Sequence, residues 1–316
     1  MREAGDRPAP AGVAFGEEAG AARRAGRPLV ALESTIISHG LPQPRNYEVA
    51  RELEDLVRAG GACPATIAVL DGVVKVGLDD DELRRVAGEP GIRKLGLRDL
   101  AVALATKASG ATTVSATACV ASSVGIRVFA TGGLGGVHRG WIDSWDESAD
   151  LEALSRTRIT VVSAGVKSIL DIPATLQRLE TLNVTVVGFR TREFPGFYLH
   201  GSGEMLDWCL ESAEAVAAVM RAQDELDVPS ALIVANAVPV EAQLDPALHE
   251  RVLAEALRAA ERNGVRGQQL TPYLLSYIFE ATDGASLEAN LAAVRGNVAL
   301  GAQIACAYAA ASRRGA

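Results

Sequence analysis

Short runs of β-branched and aliphatic residues recur along this chain, too continuous in hydrophobicity to have one wet face. They restrict the fold more than any other feature. The runs cover residues 28–34, 66–70 continuing to 73–77, 126–131, 159–163, 184–188 and 231–235. Each is bounded by Gly, Pro or Ser, as expected of a strand covered on both faces. Helical patterns separate them over 46–59, 80–87, 168–182, 204–226 and 246–263. In the last, Leu248, Val252, Ala256 and Ala260 form one apolar stripe, and Asn263-Gly264 is a helix stop. Thr271-Pro272 reads as an N-cap followed by proline at the first helical position, and Ser286 as the cap of a long terminal helix. The alternation predicts a single layered α/β/α domain with a central mixed, largely parallel sheet. Asp71-Gly72 between two runs is a hairpin signal, which makes part of that sheet antiparallel. Residues 1–26 are rich in Ala, Gly, Arg and Glu and read as a partly disordered lead-in with one short helix. The domain is expected over 27–316.

Composition narrows the class of partner. Hydrophobic residues make up 48% of the 316, enough for a substantial core. Lys and Arg total 31 against 39 Asp and Glu, a formal charge of −8. That disfavours a nucleic-acid polymer or an anionic membrane surface, both of which need a basic footprint. A small anion remains compatible, because a site can be locally positive inside a negative protein. Aromatic residues are only 4%, too few for a base-stacking platform. Cys63, Cys119, Cys209 and Cys306 are scattered, without a Cys-x-x-Cys pair, which points to a reduced, cytoplasmic protein. The opening residues lack the apolar stretch of a signal peptide, and no apolar run reaches the roughly 18 residues of a membrane helix.

In largely parallel sheets, ligands bind beyond the carboxyl ends of the strands. That rule selects Glu33-Ser34-Thr35, the segment from Thr131 to His138, and Ser163 to Lys167. The cluster Gly132-Gly133-Leu134-Gly135-Gly136, leading to His138-Arg139, can cradle an anion with backbone N–H groups, or it can be a turn that needs positive φ. It fits neither a dinucleotide fingerprint nor a Walker loop. Asp143, Asp146, Glu147 and Asp150 suit a hard cation such as Mg²⁺ or Mn²⁺; alternatively, Asp146 or Ser148 caps a helix that begins near Asp150. Lys167, at a strand-to-helix turn between apolar neighbours, is either a desolvated nucleophile able to form a Schiff base or a solvated surface group. Glu33 closes an apolar run and is either a general acid or a hydrogen-bonded structural carboxylate. Lys94 and Arg98 either clamp a phosphate or face water.

Several motifs in fixed order carry a resemblance. Val30-Ala-Leu-Glu-Ser-Thr-Ile-Ile-Ser-His-Gly40, Pro64-Ala-Thr-Ile-Ala68, Gly110-Ala-Thr-Thr-Val114, Phe129-Ala-Thr-Gly-Gly-Leu-Gly-Gly-Val-His-Arg-Gly140 and Ser163-Ala-Gly-Val-Lys-Ser-Ile-Leu-Asp171 closely resemble the pseudouridine-5'-phosphate glycosidase, or indigoidine synthase A-like, family. The likeness runs from about Pro28 to Ala311. It implies reversible cleavage of the C–C glycosidic bond of pseudouridine 5'-phosphate to uracil and ribose 5-phosphate, with a divalent metal, usually Mn²⁺, in a homotrimer. The resemblance makes Lys167 the imine-forming nucleophile and Glu33 the proton donor. It makes Asp146 the metal ligand, and Lys94, Val114, Ser148, Ala149 and Asp150 substrate contacts. His138 and Asn290 align with polar residues near the reacting base. Two departures stand out: Glu147 places an extra carboxylate beside the metal position, and His200 lies where many relatives carry a nearby arginine. Some relatives are fused to a sugar kinase. This chain has no room for one, so its substrate is expected to be phosphorylated elsewhere.

Overall fold

The computed structural model describes residues 10–314, with the side chains of Asp143, Gln268 and Arg314 outside that description. Its strands are β1 (Val13–Phe15), β2 (Leu29–Leu32), β3 (Cys63–Leu70), β4 (Val73–Val76), β5 (Arg93–Leu95), β6 (Gly110–Thr112), β7 (Val128–Ala130), β8 (Val137–His138), β9 (Thr160–Ser163), β10 (Leu170–Asp171), β11 (Thr185–Phe189), β12 (Cys209–Leu210) and β13 (Leu232–Ala235). The main sheet runs β1-β4-β3-β2-β7-β9-β13-β11-β12, with β6 also on β3 and β5 on β6. From β3 across β2 to β12 every pairing is parallel. The antiparallel partners of β3 are β4 and β6. The sheet is therefore mixed and largely parallel, as the alternation predicts. Asp71 and Gly72 take φ of +52° and +77° between β3 and β4, the left-handed pair that a two-residue hairpin turn requires.

The continuous hydrophobicity of the central strands has a direct cause. Ala31, Phe129, Val161 and Ile233 point into one core. Their neighbours Val30, Leu32, Val128, Ala130, Val162, Leu232 and Val234 point into another on the opposite face. The first core is closed by helices Val114–Ser123, Ala149–Ser155, Pro246–Arg262 and Leu270–Ala281. The second is closed by Arg45–Ala59, Ala213–Glu225 and the terminal helix Ala285–Arg314. Each large aliphatic or Phe side chain so buried contributes roughly 1.5–3 kcal/mol, so neither layer of helices is dispensable.

Several boundaries differ from expectation. Within the lead-in the expected short helix is present as Glu17–Arg24, packing Ala19 and Ala22 beside Cys63, and a strand not foreseen there, β1, pairs in parallel with β4. Residues 1–9 lie outside the described residues. The helix expected from Ser168 begins instead at Ile172, because Leu170 and Asp171 pair with β8 and the Asp171 carboxylate accepts the Ala174 N–H at 3.0 Å. The helix expected over 204–226 covers only Ala213–Glu225. Ser212 caps it, and Cys209-Leu210 is captured by β11 as an edge strand. Thr271 is no cap, since its helix starts at Leu270 after a 3₁₀ turn at Gly267–Gln269. The terminal helix starts at Ala285, and the Thr282 hydroxyl, not Ser286, takes the free N–H of Ser286 at 3.2 Å.

Candidate active site

Strands β2, β7 and β9 are consecutive in the sheet, so their carboxyl ends lie side by side. Glu33 leaves β2 and is followed at once by helix Thr35–His39. One carboxylate oxygen of Glu33 accepts the Thr35 hydroxyl and the other accepts the hydroxyl of Thr131, the residue that follows β7. Lys167 follows β9. Its Nζ donates to the Gly133 carbonyl at 3.0 Å and its backbone N–H to Leu134 at 3.1 Å. The nucleophile candidate is thus laid against the glycine loop, and the acid candidate is tied to that loop's first residue.

The glycines of this loop are required by close approach. Gly132, Gly133, Gly135 and Gly136 all have ordinary φ. A Cβ on Gly133 would lie 2.6 Å from the Phe197 ring, one on Gly135 2.2 Å from the Ser148 hydroxyl, and one on Gly136 2.5 Å from the Thr175 hydroxyl. Positive φ is needed instead at Gly165 (+79°), where a Cβ would also stand 2.5 Å from the Pro195 carbonyl oxygen. The N–H groups of Leu134, Gly135 and Val137 are bonded to the Gly165 carbonyl, the Asp150 carboxylate and the Thr175 hydroxyl. Those three are therefore not donors to an anion.

Asp150 is 6% exposed. Its Oδ1 accepts the Ser115 N–H and its Oδ2 the Gly135 N–H, both at 2.9 Å. It staples the start of helix Val114–Ser123 to the glycine loop. Ser148 caps helix Ala149–Ser155, accepting the Asp150 N–H at 3.2 Å. Val114 is buried at the first position of its helix, and Ala149 is exposed at the first position of the next.

Charge converges on the open side. The Lys94 side chain is solvent-exposed, yet surrounding protein and then the Lys167 charge lower its pKa, against Glu33 and Asp150. His138, on β8, is half-buried. Burial lowers its pKa most, Asp146 opposes, and Lys167 and Lys94 lower it further. These interactions place Glu33, Lys94, His138, Asp146, Asp150 and Lys167 in one electrostatic neighbourhood. His39, which sequence reasoning left without a role, belongs to its rim: burial and then Lys94 lower its pKa, against the Ile92 carbonyl. Asn290 lies against the loop, 3.0 Å from where a Gly132 Cβ would be, with its Oδ1 buried and without a hydrogen-bond partner.

The acidic patch divides. Arg178 binds Glu147 with two contacts of 2.9 Å, so the extra carboxylate is turned to a cation of the protein itself. Asp146 is half-buried and its carbonyl accepts the His138 N–H at 3.0 Å. The Asp143 side chain lies outside the described residues. Among the described residues no group of three or more His, Cys, Asp or Glu could enclose a metal ion. A hard divalent cation held by one carboxylate, with water and substrate oxygens completing its shell, fits this donor set. His200 is held by the Val238 carbonyl at 2.8 Å and the Gln243 side chain at 2.9 Å. A cavity of about 570 Å³ lined by Glu17, Arg51, Arg58, Asp79 and Asp80 touches none of the candidate residues. No helix among the described residues is long and apolar enough to cross a membrane.

Sequence reasoning named most of this set but gave Thr35 and Thr131 no role. Their only signal was position, each beside a carboxyl strand end that already carried a candidate.

The family described as indigoidine synthase A like protein matches residues 18–307. The pseudouridine-5'-phosphate glycosidase of Streptomyces griseus subsp. griseus is 65% identical over 293 residues, covering 92% of this chain and 91% of the relative. That of Frankia alni is 61% identical, covering 92% and 80%. Among solved structures, an indigoidine synthase A-like protein from Thermotoga maritima superposes with a TM-score of 0.85 at 36% identity, covering 93% and 95%. The prealnumycin C-glycosynthase AlnA, in complex with ribulose 5-phosphate, superposes with a TM-score of 0.89 at 33% identity, covering 96% and 98%. The chain belongs to the indigoidine synthase A-like family.

Proposed function

We infer that this protein is a lyase that reversibly cleaves the C–C glycosidic bond of pseudouridine 5'-phosphate to uracil and ribose 5-phosphate. The observation that carries the reading is the position of Glu33 and Lys167 beyond the carboxyl ends of β2 and β9, the two strands that flank β7, within one electrostatic neighbourhood with Lys94, in a chain 65% identical to a glycosidase of that name.

The residues suit the chemistry. A carbon leaving group has no lone pair to protonate, so the sugar must supply an electron sink. The Lys167 amine forms a bond to C1' while the C1'–O4' bond breaks, and Glu33 gives its proton to O4'. The secondary ammonium so formed returns a proton to the Glu33 carboxylate. Glu33 passes that proton to C5 of uracil as the C1'–C5 bond breaks with its electrons going to the base, and the nitrogen lone pair leaves C1' as an iminium on Lys167. Water hydrolyses the iminium, releasing ribose 5-phosphate and the free amine. The exposed Lys94 side chain offers positive charge to the phosphate. His138, with its lowered pKa, is neutral at neutral pH and can accept or donate one hydrogen bond near the base. The Asn290 oxygen, buried beside the glycine loop and unpartnered, would need a shift of its side chain to accept an N–H of uracil. Asp146 would hold a divalent cation such as Mn²⁺, which supplies positive charge against the substrate oxygens. We extend the proposal to a cytoplasmic homotrimer, which sedimentation of the purified protein tests.

The test is synthesis. Uracil and ribose 5-phosphate with Mn²⁺ should yield a product with the absorbance of pseudouridine 5'-phosphate, and borohydride with ribose 5-phosphate should modify Lys167. An adduct without uracil coupling would move the reading to an imine-forming enzyme of another phosphosugar, and no adduct would overturn it.

A further inference from the structure

A proton donor that works in both directions must keep one geometry while it gains and loses its proton. Glu33 meets this demand through two hydroxyls on two different elements. Thr35 is 8% exposed and Thr131 2%, and each hydroxyl donates to a separate carboxylate oxygen. We propose that Thr131 and Thr35 are positioning residues that clamp the Glu33 carboxyl through its proton cycle, with Asn297 fixing Thr131 from the terminal helix. This rests on Glu33 being the proton donor of the reaction above.

The choice of hydroxyls is chemically specific. A backbone or amide N–H only donates, so a clamp of such groups supports the ionised carboxylate alone. A threonine hydroxyl both donates and accepts. When Glu33 is protonated, one hydroxyl rotates to accept from it and the other keeps donating, with no movement of heavy atoms. The clamp itself is anchored. Asn297 is fully buried; its Nδ2 donates to the Thr131 carbonyl at 2.8 Å and to Gly132 at 3.3 Å. Its Oδ1 accepts from Asn236, just beyond β13, at 2.9 Å. The ends of β2, β7 and β13 are thus tied by one chain of polar contacts. Beneath Glu33 a void of about 10 Å³ is lined by Leu32, Ile36, Leu53, Ala130, Val294 and Val298, whose side chains offer the carboxyl no alternative hydrogen bond.

The experiment compares T131V, T131S, T35V and E33Q, and the double variant T131V/E33Q, in the uracil–ribose 5-phosphate coupling assay, with thermal unfolding of each. Loss of one clamp arm should lower kcat about 10- to 100-fold for T131V and for T35V, a part of the 10²–10⁴ that a positioned acid supplies, with both KM values within about threefold. T131S should recover kcat to within about threefold. T131V should cost nothing further in the E33Q background. The clamp is overturned if T131V and T35V keep wild-type kcat, if serine does not rescue, or if the T131V loss persists undiminished in E33Q. Should T131V unfold, T35V decides, because it removes the other arm from a different element. Wild-type protein that makes no product and no Lys167 adduct refutes the proposed activity instead.

Discussion

Replacing Asp150 by Asn tests whether the buried carboxylate is a structural staple. In the wild type both oxygens accept backbone N–H groups at 2.9 Å, from Ser115 and Gly135, at a site only 6% exposed. Asparagine can present its oxygen to one of these donors, but its NH₂ then faces the other. The substitution removes the charge from two charge-assisted bonds, worth about 1.5–3 kcal/mol each, and leaves one buried N–H unpaired. Loop movement will recover part of this, so a net loss of about 3 kcal/mol is expected. Urea unfolding at pH 7 measures it directly, and at roughly 2–4 °C per kcal/mol the midpoint temperature should fall by about 6–12 °C. Because the staple joins the loop that holds the Lys167 ammonium to the helix that starts at Val114, imine trapping should also slow. A D150N protein within 0.5 kcal/mol of wild type would refute the staple and leave Asp150 free for substrate, as the family resemblance implies.

Three further outcomes follow from particular contacts. His249 is 7% exposed, with its Nε2 buried and unpartnered, and burial with nearby Arg139 lowers its pKa to about 4. The unfolded chain binds that proton more readily, so stability is lost as pH falls below about 6.5, by about 2 kcal/mol between pH 7 and pH 5. Urea unfolding of H249L at both pH values should show that part of the slope removed, and an unchanged slope would exclude His249 as its source. Glu147→Gln should leave kcat and the Mn²⁺ requirement within about threefold of wild type, because Arg178 already holds that carboxylate; a large change in metal activation would put Glu147 back at the cation. Gly135→Ala should cost about 1–3 kcal/mol in urea unfolding by overpacking against Ser148 and Asp150, and a neutral effect would show the loop to be more yielding than its contacts.

What the sequence disclosed and what it hid follow from the range of the interactions. The strands of the sheet centre were legible because burial on both faces is written into consecutive residues. From Val30 to Leu32, Val161 to Val162 and Leu232 to Val234 the chain fills two cores in alternation. The site was legible only through the rule that ligands gather at carboxyl strand ends, which singles out Glu33 and Lys167 without saying what touches them. Helix 204–226 was overextended because a parallel partner, β11, claims Cys209-Leu210, and pairing is invisible to periodicity. The glycine loop shows the same limit. Its glycines invited a turn or a phosphate cradle, whereas each answers to a side chain far away in sequence, such as Phe197 or Thr175.

The Thr clamp was hidden for the converse reason. Threonine after a strand is ordinary, and Thr131 is 98 residues from Glu33. Only the β2–β7 pairing, which sets Leu32 against Ala130, brings the next residues of the two strands, Glu33 and Thr131, level. A one-residue slip of that register would send Thr131 to the other face, leaving Glu33 with one donor. The proposed acid chemistry therefore depends on strand register, and register depends on the two apolar cores beneath it. Core substitutions that loosen β7, such as Phe129→Ala, should consequently lower kcat at temperatures where the protein is still folded.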